Sequence, residues 1–142
     1  MIEYADIREQ LILWLRGKLE AYQGEVATGV KVAASVPESR IDDSPLVVLR
    51  RIGGTVTWPV LDTSTIDFLC WHKSEYDAER LAQVVRSILI YELPGTMLGG
   101  HTFYQPKEFS GPSAYPDPAG STIKITMFTL EIPVRVKEVP DE

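Results

Sequence analysis

Hydrophobic and polar positions form their clearest pattern between Ser64 and Leu93, and the rest of the chain is organised around this stretch. Residues 65–72 are rich in the aromatic and β-branched types that are typical of strands. Strand alternation places Ile66, Phe68, Cys70 and His72 on one face, and Asp67, Leu69 and Trp71 on the other. Since neither face is polar, we expect the protein's own helices to cover one face and sister copies of the chain to cover part of the other.

A helix is predicted directly after this strand. Ser74 stands three residues before Asp77, which is a capping-box-like start, and Pro94-Gly95 ends the run. Apolar positions recur at spacings of three and four residues: Ala78, Leu81, Ala82, Val85, Ile88 and Leu89.

The chain before residue 64 predicts one helix and two strands. Asp6 can cap a first helix that ends at Gly24, with one apolar face: Ile7, Leu11, Trp14, Leu15, Leu19 and Tyr22. Strands are predicted at 30–36 and 46–52, and a Gly53-Gly54 turn is expected to end the second one.

Beyond Leu93 the chain is rich in glycine and proline. We expect a short strand at 101–105, then a Pro/Gly-rich loop at 106–120 whose aromatic residues dock on a partner. The last element, residues 122–137, is a long strand whose apolar phase slips by one residue. The slip predicts a bulge near Met127-Phe128 or a change of cover there. Pro133 favours an edge position, and an exposed edge of this length favours pairing in an oligomer.

Together these elements predict one α+β domain over residues 1–142, with a mainly antiparallel (mixed) sheet of four to five strands and two helices packed on one face. A chain of 142 residues that is 44% hydrophobic can bury its own core without a disulfide or metal. No apolar run approaches the roughly 18 residues that span a bilayer, so we expect no membrane partner and synthesis in the cytosol. The net charge of −6 with scattered basic residues argues against tight nucleic-acid binding.

Candidate chemistry is sparse, and no catalytic, cofactor or metal residue is assigned. Cys70 and His72 face the same way, but side chains two residues apart on a strand are roughly 6.5–7 Å apart at their roots, and no third group orients the histidine. With His101 included, the three residues still lack the sequence spacing that is typical of metal ligands. A small hydrolase or ligand-binding domain using these three residues stays open as an alternative of a different class.

Read in order, the chain resembles the tail terminator proteins of long-tailed bacteriophages, especially those infecting actinobacteria. The resemblance covers nearly the whole chain and depends on pattern and element order. Its features are the opening helix with Trp14-Leu15, Val36-Pro37, residues 45–54 (PLVVLRRIGG), Asp62, residues 66–71 (IDFLCW), Ala78-x-x-Leu81-Ala82-x-x-Val85-Arg86, the Pro-rich stretch and the long closing strand.

The resemblance implies a structural virion protein, made in the host cytoplasm, that forms a ring, usually a hexamer, on the head-proximal end of the tail tube. Such a ring ends tube polymerisation, and its partners are the major tail tube protein and the head-tail connector or neck protein. DNA only passes through the lumen. A head-closure or neck connector role is the alternative within this class. The side chains expected at interfaces are Arg50, Arg51, Trp58, Trp71, Phe103, Tyr104, Phe109 and Tyr115.

Overall fold

The computed structural model describes residues 2–3, 7–36, 45–57, 61–115, 124–135 and 137–138. In chain order its elements are β1 (Ile2–Glu3), α1 (Arg8–Ala21), a 3-10 turn (Glu25–Ala27), β2 (Lys31–Ala33), β3 (Leu46–Thr57), β4 (Leu61–His72), α2 (Glu75–Glu92), β5 (Met97–Leu98), β6 (His101–Phe103), β7 (Lys107–Tyr115), β8 (Lys124–Arg135) and β9 (Lys137–Glu138).

The main sheet has the order β2-β3-β4-β8-β6-β5, and β7 also pairs with β8. Only β2 and β3 run parallel; the other pairs are antiparallel. The prediction of an α+β fold with a mixed sheet and two helices is therefore confirmed. The strand count is larger than the expected four to five, because strands of two or three residues, such as β2 and β5, are too short to carry a recognisable alternation.

The helices cover one face of the sheet and form the main core with it. Fully buried side chains from α1 and α2, such as Leu15 and Leu81, belong to the same cluster as Ile66 and Phe68 of β4. The Phe68 and Phe128 rings stack with their centroids 5.0 Å apart. Burying each such ring contributes about 2–3 kcal/mol to folding.

The opposite face of the sheet carries a second apolar cluster that is also buried. It consists of Leu46, Val48, Leu69 and Ile125, with Ala33, Trp71, Tyr115 and Met127 packed against them. The four central side chains are at most 6% exposed in the single chain. The expectation that sister copies cover these side chains is therefore wrong, because the chain covers them itself.

The closing strand β8 is central, not an edge. It pairs with β4 over all twelve of its residues without a register shift, and its other side pairs with β6 and β7. The expected bulge in β8 near Met127-Phe128 is absent from this pairing. Instead, the apolar residues of β8 change from one face of the sheet to the other. Ile125 belongs to the second cluster, whereas Phe128 and Leu130 face the helices. The expectation that this strand is an exposed edge, which favoured pairing in an oligomer, is accordingly wrong.

Two further predictions are corrected between residues 52 and 115. Gly53-Gly54 is not a turn, since β3 continues to Thr57 through a bulge at Ile52. Residues 107–115, expected to belong to a Pro/Gly-rich loop, form strand β7, which follows β8 with two register shifts that accommodate Gly111 and Pro112. Both cases have the same cause: bulges let an edge strand include residues that would interrupt a regular one.

The start of α2 is as predicted. Ser74 is the N-cap, and its Oγ accepts a hydrogen bond from the Asp77 N–H at 3.1 Å. For α1 the cap position is Ile7, with no side-chain hydrogen bond, and the expected cap Asp6 lies outside the described residues. The predicted strand at 30–36 is shortened to β2.

The bulge in β3 generates a stability prediction at Gly54. A Cβ atom added there would collide with the carbonyl oxygen of Thr63 on the paired strand. We therefore expect Gly54→Ala to lower the free energy of unfolding by about 1–3 kcal/mol, measured by chemical denaturation. The matched control is Gly17→Ala on the exposed side of α1, where nothing lies within 4 Å of an added Cβ. This change should stabilise the protein by ~0.5–1 kcal/mol. Equal effects at the two sites would contradict the close approach of the strands.

Candidate oligomer interface

Two long sheet edges are open in the described part of the chain, in addition to the short outer strands β2 and β5. Strand β2 pairs only with Leu46–Val48, so residues 49–57 of β3 have β4 on one side and no strand on the other. Strand β7 likewise pairs with β8 alone. These edges lie on opposite sides of the central β4–β8 pair. Backbone groups on an open edge are ready to pair with another chain.

Both open edges carry exposed apolar side chains. On β3, Ile52 is 50% and Val56 is 52% exposed, and Phe109 on β7 is 66% exposed. Single exposed apolar residues are common on protein surfaces. Their position on long strand edges with unpaired backbone makes these three candidates for contacts with another subunit, as is Met97, 67% exposed on the short outer strand β5.

Arg50, one of the side chains expected at an interface, is engaged within the chain. Its Nη2 donates to Oδ2 of the buried Asp67 at 2.7 Å, and Thr129 Oγ1 donates to Oδ1 of the same carboxylate at 2.6 Å. The hydrogen bond to Asp67 raises the pKa of Arg50, with a smaller contribution from Tyr115. Arg50 therefore neutralises a buried charge, a role that explains it without any partner.

The remaining predicted interface residues separate into accessible and buried groups. Arg51 is exposed, and its Nε makes only a long contact of 3.4 Å with the Gly53 carbonyl oxygen. Tyr104 is 39% exposed and is therefore accessible to a partner. Phe103 is fully buried in the main core, so its assignment to an interface is wrong. Trp71 and Tyr115 are half-buried against the second cluster. Trp58 lies outside the described residues.

The alternative chemistry at Cys70, His72 and His101 is not assembled. Cys70 is fully buried, and burial raises the pKa of its thiol, which opposes thiolate formation. His72 Nδ1 accepts the Lys73 N–H at 3.0 Å, so Nε2 carries the proton and donates to the Val26 carbonyl oxygen at 3.2 Å. Both ring nitrogens of this histidine are thus occupied by backbone groups, which leaves no free base for a nucleophile.

Two surface clefts formed by described residues lie elsewhere. One, of about 220 Å³, lies between the first turn of α2 and the end of β7; the other, of about 360 Å³, runs between Tyr22 and the outer side of α2. Neither is lined by Cys70, His72 or His101. Among the described residues, no three His, Cys, Asp or Glu side chains are grouped to hold a metal ion. No helix in the described part of the chain is long and apolar enough to cross a membrane.

Ile52 and Val56 were missed by sequence reasoning. The Gly53-Gly54 pair was interpreted as the end of the strand, so the residues around it were not considered as part of an edge. The signal that could have found them is the β-branched run Thr55-Val56-Thr57 directly after the glycines.

A small α+β domain with a self-contained core and two open sheet edges has the features of a structural, assembling protein. Comparison with known families agrees with this class: residues 3–127 match the model of a family described as phage tail termination protein. The chain therefore belongs to the phage tail terminator family, and it is a structural component of the bacteriophage virion. Comparison with individually curated proteins gave no match.

The buried Asp67 generates a prediction for Arg50. Arg50→Ala removes the partner of a buried carboxylate, so the free energy of unfolding should fall by about 1–3 kcal/mol. Arg51→Ala is the matched control, because this neighbouring arginine is exposed and forms no ion pair with another residue that the structure describes; its effect should stay within about 0.5 kcal/mol. Chemical denaturation measures both. The double variant Arg50→Ala/Asp67→Asn should recover part of the lost free energy of unfolding. If the effects of the two single substitutions simply add, the coupling between Arg50 and Asp67 is contradicted.

The buried position of Cys70 predicts that its thiol reacts slowly in the folded protein. A disulfide reagent such as DTNB at pH 8 should react with Cys70 only when the chain unfolds, since the raised pKa lowers the thiolate fraction and burial blocks access. The measurement compares labelling of the native protein with labelling in denaturant. Rapid labelling of the native protein would contradict the buried assignment and would reopen the alternative of a cysteine nucleophile.

Proposed function

We propose that this protein forms a ring, most simply a hexamer, that caps the finished tail tube. The ring ends polymerisation of the tube and provides the surface to which the head or neck attaches. The observation that carries this proposal is the match to the tail termination family over residues 3–127. The partners on this reading are the major tail tube protein on one ring face and the connector or neck protein on the other.

The geometry of the chain supports ring formation by head-to-tail contacts. A closed ring requires two different surfaces on each copy, placed so that one copy can present one surface to the next. The open edges of β3 and β7 lie on opposite sides of one rigid sheet, which meets this requirement. The core of each copy is complete without its neighbours, so subunits can fold first and assemble afterwards.

The charge of the chain supports passage of DNA without adhesion. Each copy carries a net charge of −6, so six copies would carry −36. Such a ring repels the phosphate backbone in its lumen.

The test combines purified protein with the tail tube protein of the same phage. We expect the protein to sediment at six times the chain mass, to appear as rings by negative-stain microscopy, and to stop elongation of tubes when added during growth. The control is tube protein growing without it, which should give longer tubes. A strictly monomeric protein at high concentration that neither binds nor caps tubes would contradict the proposal.

Disruption of the coding sequence in the phage separates termination from head closure. Loss of a terminator should leave overlong tails or free tails. Capsids that leak DNA beside tails of normal length would instead assign the chain to head closure.

A further inference from the structure

We propose that the open edge of β3 in one copy pairs antiparallel with the open edge of β7 in the next copy, so that the sheet continues from subunit to subunit. The inference rests on the proposed ring and names the contact that closes it. The partner at each edge is a second copy of this chain. Residues 49–57 of one copy pair with residues 107–115 of the next.

Backbone hydrogen bonds show which groups of β3 are available. In the parallel pairing with β2, the Lys31 N–H donates to the Pro45 carbonyl at 3.0 Å, so residue 45 directs its backbone towards the outer edge. The period of two gives Leu49 and Arg51 the same direction. Strand β2 ends at Ala33, opposite Val48, and the described part of the chain places no further strand beside these groups.

Strand directions make the junction antiparallel. Strand β4 runs opposite to β3, β8 opposite to β4, and β7 opposite to β8, so β3 and β7 have opposite directions within one copy. A rotation about an axis along the strands preserves these directions. It therefore brings β3 of one copy antiparallel to β7 of the next, and the two open edges are each nine residues long.

Irregularities on both edges oppose self-pairing and limit the junction to short segments. Strand β7 has two register shifts and Pro112, features that prevent regular addition of another β7. Pairing of β3 with β3 would bring the exposed Arg51 side chains of two copies onto one short edge, where like charges repel. Pairing of β3 with β7 avoids this repulsion and brings the irregularities of only one β7 strand into the junction. Both edges supply exposed apolar side chains to it, Ile52 and Val56 from β3 and Phe109 from β7.

Cysteine cross-linking tests the junction directly. Thr55, Ser110 and Ser113 are exposed and pair with Thr63, Thr129 and Met127, whose alternation places all three on the face away from the helices. Oxidation of Thr55→Cys/Ser110→Cys or Thr55→Cys/Ser113→Cys should link ring subunits into multimers on a denaturing gel. Thr55→Cys alone is the matched control and should stay monomeric. Efficient dimers of this single variant, or rings in which neither double variant forms multimers, would overturn the proposal.

A second pair of variants separates the contribution of the Arg51 backbone N–H to assembly from that of its side chain. Arg51→Pro removes an N–H from the outer edge without removing one from the β3–β4 ladder, whereas Arg51→Ala keeps that N–H. We expect Arg51→Pro to raise the concentration needed for ring assembly by about tenfold or more relative to Arg51→Ala, because only the proline variant loses the backbone N–H. Rings of folded Arg51→Pro at wild-type concentrations would overturn the junction. If Arg51→Pro fails to fold by circular dichroism, the cross-links decide. Absence of rings in the wild type would instead refute the proposed function itself.

Discussion

The fold depends on the pairing of β4 with β8, which holds one register over twelve residues. Both faces of this pair fix the register at adjacent positions. On the helix side, Phe68 stands opposite Phe128 and the two rings stack; on the other side, Asp67 stands opposite Thr129 and accepts its hydroxyl hydrogen bond. A slip of one residue would exchange the two faces, placing the carboxylate under the helices and the rings outside. The register is therefore specified by apolar packing and by a buried charge together.

This self-sufficient centre leaves the edges free for assembly. The second apolar cluster is covered within the chain, so a partner is not needed to complete the core. At the long open edges, the register shifts of β3 and β7 occur at the exposed Ile52 and Phe109. Such an arrangement suits a chain that buries its own core before it meets any partner.

The parts that were predictable from sequence are those where local signals and packing agree. The Ser74 cap and the apolar stripe of α2 gave a helix with correct limits, and the alternation of β4 gave its two faces. The candidate site was predicted less well. Arg50 was interpreted as a partner contact because its sequence neighbours do not reveal that Asp67, seventeen residues away, lies beside it on the next strand. Phe103 was assigned to an interface because a short strand among glycines gives no indication that it pairs with β8 and points into the core.

The sequence by itself determined the elements with long apolar periodicity, the α+β class and the family resemblance, since these depend on local composition and order. Only the tertiary structure decided which strands are central and which are edges, because strand order depends on pairing between distant segments. That difference reversed one conclusion: the closing strand, which reads as an exposed ribbon with a proline, lies inside the sheet, and the open edges belong to β3 and β7. Pro133 is tolerated there because its backbone faces Tyr104, whose N–H its carbonyl accepts at 3.0 Å, so the missing N–H takes no hydrogen bond from the β4–β8 ladder.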